Sequence, residues 1–356
     1  MNDELSIVVG GRKISGWTEI RVSRGIERLP SDFDIGMTER FPGDLHDVIA
    51  KPGDSCQVLI GSDLVITGYI DRFIPSISAY DHSIRISGRG KCQDLVDCSA
   101  EWPNNQISGG SALAIAQKIA KPYGITVSAD VDVGGPIPQF NLMWGETGYE
   151  IIERISRYRA LLAYDMPDGN LLLSRVGSAS HSSGVKQGAN VLSANMLYSM
   201  DQRFSEYMVY LQSMDVLHDV GSGGNLLARK TDDGVPRHRR RALIAEAGGG
   251  GLDISIKRAN WEAARRMGRS MQLSVDVDNW RDGAGKLWTP NQLIPIDIPS
   301  LKTTAQNWLI GEVSFLRGNE GSYAALQIMP PDAFNPEPIL LQPVFADVPA
   351  IAPAAQ

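Results

Sequence analysis

The sequence predicts a mainly β protein with α+β parts: two similar antiparallel β-barrel domains, a small α+β domain and a helix-bearing insertion. Three observations lead there. A β segment recurs near both ends of the 356-residue chain. Period-2 apolar runs separated by turn residues fill the first ninety residues. Helical periodicity is confined to stretches near 111–123, 147–158 and 256–273.

Residues 1–91 are expected to form the first barrel. Leu5, Ile7 and Val9 alternate, Gly10-Gly11 marks a turn, and Ile14–Val22 continues extended. Phe33, Ile35 and Met37 share one face of the next run. Pro52-Gly53-Asp54 then leads into a strand at Cys56–Ile60, a turn at Gly61–Asp63, a strand Val65–Ile70 interrupted by Gly68, and a strand at Ser83–Ser87. Short strands with turn signals every ~8–12 residues indicate a sandwich or barrel.

Residues 92–188 read as the α+β domain. Ser111 can cap a helix whose Leu113, Ile115, Ala116 and Ile119 repeat at the helical period before Pro122 ends it. Thr147 can cap a second, with an apolar stripe of Tyr149, Ile151, Ile152, Ile155 and Tyr158. Leu161–Tyr164, the turn Pro167–Asn170 and Leu171–Arg175 make a hairpin.

Residues 189–335 read as the second barrel, split by an insertion at about 216–272. Tyr207, Val209 and Leu211 alternate, Gly221–Gly224 and Gly248–Gly251 read as loops, and Ile256–Leu273 reads as a helix. The repeated segment follows: Thr289-Pro290-Asn291, Leu293–Ile298, a longer turn at Ser300–Asn307, Trp308–Val313 around Gly311, and Tyr323–Met329. Gly68 and Gly311 are expected at equivalent positions. Residues 336–356 form a Pro/Ala-rich tail, expected to be extended, with apolar anchors at Ile339–Leu341 and Val344-Phe345.

A net charge of −7 argues against a dedicated nucleic-acid binder. No run approaches the ~20 apolar residues of a membrane span. Met1–Gly10 carries Asp3 and Glu4 where a signal peptide would be basic. Cys56, Cys92 and Cys98 suit a reducing compartment and read as structural thiols.

Chemistry is sparse. His46, His82, His181, His218 and His238 form no metal-binding spacing. There is no nucleophile elbow, and Gly248–Gly251 lacks the Lys-Ser/Thr of a phosphate loop. Glu146 and Glu150, near Trp144, are the most plausible glycosidase pair, but an acid in a helix first turn is explained by the dipole. His218-Asp219 reads as a solvated loop pair. Arg237–Arg241 could meet phosphate or an acidic neighbour, and a solvated loop is the favoured reading. Glu262 and Arg266 form an i,i+4 pair. Trp144 and Trp280 could form a sugar platform, though such residues more often serve core or interface. No catalytic, cofactor-binding or metal residue is assigned, and no cofactor is expected.

Several runs together carry a resemblance: Gly68–Asp71, Asp94–Ser99, Arg203–Tyr207, Arg258–Glu262 and Leu287–Asn291. Over about residues 4–335 the chain resembles the baseplate hub family of Mu-like contractile-tail phages, the 43 kDa tail proteins. That family is akin to the late-control D proteins and to the hub part of type VI secretion spikes. The resemblance implies a non-enzymatic homotrimeric ring with two tube-like domains per subunit around a channel for DNA. It implies a sixfold tail tube protein on one face, a separate trimeric tail spike protein on the other, and the tape measure protein as a further neighbour. It implies no specific nucleic-acid binding, no integral membrane association, and a place in the virion baseplate after assembly in the bacterial cytoplasm. A tail-associated peptidoglycan hydrolase and a carbohydrate-binding module are the alternatives. A channel passing DNA is expected to have an acidic or neutral lining, because a basic one would hold DNA by counterion release.

Overall fold

A computed structural model describes residues 3–38, 50–79, 82–102, 106–137, 139–212, 225–245 and 252–337. His46, His218-Asp219, both glycine loops and the tail anchors lie outside the described residues.

The N-terminal strands are β1 (Leu5–Val9), β2 (Arg12–Ser15), β3 (Glu19–Gly25), β4 (Asp32–Thr38), β5 (Ser55–Ile60), β6 (Asp63–Ile77) and β7 (His82–Gly90). Alternation decides their faces: Leu5, Ile7, Val22, Phe33, Ile35, Val58 and Ile86 are all buried. Gly10 and Gly11, at φ 55° and 78°, are the two central residues of the β1–β2 hairpin, where a turn matching strand twist needs positive φ twice.

The α+β part contains α1 (Gln93–Asp97), β8 (Gln106–Ile107), α2 (Ala112–Ala120), β9 (Val127–Ala129), β10 (Phe140–Asn141), α3 (Gly148–Tyr158), β11 (Leu162–Asp165) and β12 (Leu171–Ser174). Both predicted caps form. Ser111 Oγ accepts from Ala114 N–H at 3.1 Å. Thr147 and Glu150 make a reciprocal capping box. The sheet β11-β12-β9 packs with α2 and α3 around Ile115, Ile119, Ile151, Ile155 and Leu173, a core separate from the large sheet's.

The remaining elements are β13 (Val185–Lys186), β14 (Val191–Tyr198), β15 (Glu206–Gln212), β16 (Asn225–Thr231), β17 (Arg240–Ala245), α4 (Leu252–Arg269), β18 (Met271–Val277), β19 (Leu293–Ile298), β20 (Thr303–Gly318) and β21 (Gly321–Met329). The inserted strands β16-β15-β17 form their own sheet, and α4 packs on it through Ala259 against Val209 and Ala228.

The fold class is as the sequence predicts: mostly β with small helices. Strands of both β units belong to one large curled sheet, ordered β14-β18-β21-β20-β3-β4-β7-β6-β5-β1-β2, with β19 on β20 and β13 on β19. They share one apolar core, in which Leu5, Val58 and Ile86 belong with Leu273, Ile296 and Leu326.

Three expectations change. The helix expected to Leu273 ends at Arg269, and Met271 already starts β18. Leu273, Val275 and Val277 follow the period of a strand, and all three are buried. The turn expected at Ser300–Asn307 shrinks to a 3-10 turn, Pro299–Leu301, closed by Lys302 at φ 61°. Residues 303–307 extend β20 instead, because they pair with β19. Arg240 and Arg241, expected in a loop, begin β17 and pair with β15.

Candidate assembly site

The duplicated segment is a matched pair of hydrogen-bonded devices. In the first, Gly53 N–H donates to the Ile70 carbonyl at 2.7 Å and Ile70 N–H to the Asp54 carbonyl at 3.0 Å. In the second, Asn291 N–H donates to Ile310 at 2.9 Å and Ile310 N–H to Gln292 at 3.0 Å. Gly53 and Asn291 both have positive φ, 92° and 64°. One residue later each long strand bulges, between Ile70 and Arg72 and between Ile310 and Glu312. Gly311 therefore corresponds to Asp71, and the residue matching Gly68 is Trp308. The expected equivalence of the two glycines is wrong because each answers a different local crowding. A Cβ on Gly68 would lie 1.9 Å from the Arg89 carbonyl oxygen, and one on Gly311 would lie 2.6 Å from the Phe334 ring.

The correspondence extends over six strands. The order β3-β4-β7-β6-β5-β1 repeats as β14-β18-β21-β20-β19-β13, with five strands matching in direction and the sixth reversed: β13 is parallel to β19 where β1 is antiparallel to β5. The units meet where β20 pairs antiparallel with β3, from Glu312 opposite Gly25 to Arg317 opposite Ile20. Ile26 N–H donates to the Gly311 carbonyl at 3.0 Å. By ladder alternation Val313, Phe315 and Arg317 then occupy bonded rungs, with Ser314 and Ser23 on a rung between them, where side chains approach closest. Their hydroxyls are 2.7 Å apart. Phe315 and Val22 are fully buried at the joint, and Arg28 ties Glu312 at 2.9 Å while also pairing with Asp32.

Buried polar groups fix the other elements to this frame. Asp165, the last residue of β11, accepts from Ser31 N–H at 2.9 Å and Ser31 Oγ at 2.8 Å. Burial raises its pKa, and the Ser31 bonds and Arg24 oppose that rise. Asn291 accepts from Gly177 N–H at 2.8 Å and donates to Tyr164 Oη at 3.1 Å and the Arg175 carbonyl at 2.8 Å. His181 Nε2 accepts from Thr289 N–H at 3.1 Å, so Nδ1 carries the proton donated to Asp282, 3.0 Å away. Burial pushes the Asp282 pKa up, but bonds from His181, Lys286 and Ser182 outweigh it and hold the carboxyl well below its usual range.

Among the described residues, the predicted chemical candidates converge into no reactive group. Glu146 precedes α3 instead of lying in its first turn, accepts from Met143 N–H at 3.0 Å and pairs with Arg154 at 2.7 Å. Glu150 is spent on the capping box. Trp144 is 91% exposed but Trp280 is buried, with Nε1 bonded to the Leu316 and Tyr323 carbonyls, so the two share no platform. Glu262 reaches Arg266 at 2.6 Å. In the basic run, Arg239 donates to the Met200 and Asp201 carbonyls, Arg240 pairs with Glu206 at 2.7 Å, and Arg239 and Arg241 lie over the Phe204 ring. Arg240, then Arg229, holds the Glu206 pKa down against desolvation. Cys56 and Cys92 are buried thiols and Cys98 is exposed. Burial pushes Cys56 up to about 12. Among the described residues no cluster of metal-ligating side chains occurs.

Comparison with known proteins places this geometry. Residues 4–90 match a family model for the N-terminal part of the Mu phage baseplate assembly protein GpP-like family. Residues 92–175 match the second domain of the baseplate hub protein gp44-like family, and residues 252–337 the fourth domain of GpP. The baseplate hub protein gp44 of Escherichia phage Mu is 30% identical over 343 residues, covering 94% of this chain and 89% of that protein. The 43 kDa tail protein of prophage MuSo2 from Shewanella oneidensis superposes with a TM-score of 0.83 at 31% identity, covering 94% of this chain and 99% of that one. The tail protein of Neisseria meningitidis MC58, at 22% identity and a TM-score of 0.76, covers 96% and 100% and has the same fold.

Proposed function

This chain belongs to the baseplate hub family of Mu-like phages, and from that premise we propose that three copies form a ring adapting a sixfold tail tube to a threefold spike. The observation that carries the reading is the six-strand unit present twice in one order and joined edge to edge within the chain. Three copies of a chain with one such unit cannot match six tube subunits, whereas three copies with two can. Residues 1–91 and 189–335 are then the ring-forming domains, with β13 joining the second from the end of the 92–188 α+β domain; the insertion, expected at about 216–272 but including β15 in its sheet, and the tail from 336 are the accessories.

The α+β domain and the inserted sheet occur once per chain, so they supply the threefold character that a separate trimeric spike needs. The tube protein takes the pseudo-sixfold face, and the tape measure protein is a neighbour on the channel side. The role is structural, with Glu146 and Glu150 committed to Arg154 and a helix cap. Assembly takes place in the bacterial cytoplasm, and the ring ends in the virion baseplate.

Light scattering on the purified chain tests the reading. A trimer at micromolar concentration is the expected result, and a clean monomer overturns it. Such a permanent ring should bury more than about 2,000 Å² in total.

A further inference from the structure

We propose that neighbouring copies join by antiparallel pairing of the β14 edge of one copy with the second half of β6, residues 72–77, of the next. This rests on the ring reading above and gives it a register. The β20–β3 joint has an exact counterpart in topology that the single chain leaves unmade. β6 corresponds to β20 and β14 to β3, through their shared partners and the shared bulge. Among the described residues, β6 pairs only with β5 and β7, and β14 only with β18.

Transferring the rungs of the existing joint sets the new one. Val313 opposite Arg24 becomes Phe73 opposite Tyr198. Ser314 opposite Ser23 becomes Ile74 opposite Leu197. Leu316 opposite Arg21 becomes Ser76 opposite Asn195, and Arg317 opposite Ile20 becomes Ile77 opposite Ala194. Nothing in this transfer used side-chain chemistry, yet the rungs match in kind: aromatic with aromatic, aliphatic with aliphatic, polar with polar. Such cross-strand pairs are what stabilise a sheet edge.

Exposure points to the same two edges. Phe315 and Val22 are buried in the existing joint, at 1% and 0%. On the unmade one, Ile74, Ile77, Leu197 and Tyr198 are 45%, 84%, 49% and 53% exposed. A long apolar edge left open is an aggregation hazard that proteins normally blunt. Here a second copy of the chain is the occupant that covers both edges at once, and heterologous pairing of this kind closes a ring. By the same alternation Pro75 faces the new partner without an N–H, so that rung loses one donor and apolar burial at Ile74 and Ile77 carries more of the joint.

A cysteine pair reads the register. In a Cys98→Ser background, Ile74→Cys and Leu197→Cys are combined in one chain. Opposed Cα atoms at such a rung lie about 4.5 Å apart, within disulfide range. The expected result under mild oxidant is covalent dimer and trimer with no larger ladder. Ile74→Cys with Met196→Cys, a one-residue slip that turns the thiol to the other face, should give none.

A trimer by light scattering that fails to cross-link through 74 and 197, or that cross-links through 74 and 196, overturns this joint and leaves the ring reading standing. A monomeric parent chain overturns both. Hydrogen exchange on the unaltered trimer gives a mutation-free check. Phe73 and Ile77 amides should be protected as strongly as those of Val313 and Arg317, and free exchange there overturns the joint.

Discussion

Asp282 and Asn291 are two of the residues through which the second β unit holds the chain that precedes it. Asp282 is buried beside His181, and its hydrogen bonds keep it ionised at lower pH than an ordinary carboxyl. A folded-state pKa depressed in this way stabilises the protein above the unfolded carboxylate value, and the contribution is lost as pH falls through the folded one. Asp282→Asn should therefore destabilise by about 2 kcal/mol near pH 6. The gap from the parent should narrow as pH is lowered below about 4. Thermal midpoints of both proteins across that range check it, and a gap that stays constant rejects the assignment. Asn291 combines a φ of 64° with three side-chain bonds. Asn291→Gly keeps the backbone and loses the bonds, while Asn291→Ala loses both. The alanine variant should be the less stable by about 1 kcal/mol, the cost of holding a Cβ in the left-handed region. Equal denaturation midpoints would mean that the bonds alone matter.

At the scale of elements, the strands and helices were legible wherever one physical rule governs them. Alternation located β1, β4 and β5, and caps at Ser111 and Thr147 located α2 and α3 to within a residue or two. The repeat was legible too, but its alignment was not. Pro52 and Pro290 are correctly matched three residues before Ser55 and Leu293, which pair with Tyr69 and Leu309. The two glycines misled because a missing Cβ reports local crowding, and crowding came from the Arg89 backbone in one copy and from Phe334 in the other. His181, Asp165 and Asn291 carried no local signal, since each partner lies over a hundred residues away. The Gly311 assignment is testable. Gly311→Val sets a branched side chain where Phe334 already sits, and overpacking of this kind costs about 1–3 kcal/mol. Phe334→Ala opens that space, so the double variant should recover stability relative to Phe334→Ala alone. Strict additivity of the two changes in denaturant midpoints would show that the ring is not the obstacle.

At the scale of the whole molecule, the proposed ring would have to pass DNA without retaining it. Retention would come from free cations, since each phosphate neutralised by Lys or Arg releases a counterion. The chain is acidic overall, at −7, and the arginines at 239–241 of its densest basic run are engaged within the chain. Arg239 is held by the Met200 and Asp201 carbonyls, Arg240 by Glu206, and Arg241 is stacked with Arg239 on Phe204. Other arginines are similarly committed: Arg89 to Asp71 and Asp97, Arg203 to Asp232, and Arg281 to Asp3 and Asp63. Guanidinium groups spent on carboxylates within the chain contribute little to a phosphate interface. The purified protein should accordingly give no anisotropy change with a labelled 30-base-pair duplex at ~150 mM salt, where a nonspecific binder of DNA has Kd of about 10⁻⁴–10⁻⁶ M. Glu206→Gln frees Arg229 and Arg240 together, and if their pairing is what silences the run, binding should appear at low salt and fall with added salt at a slope of about −2. Tight, salt-sensitive binding by the unaltered protein would instead show a free positive surface and count against an acidic or neutral lining for the proposed channel.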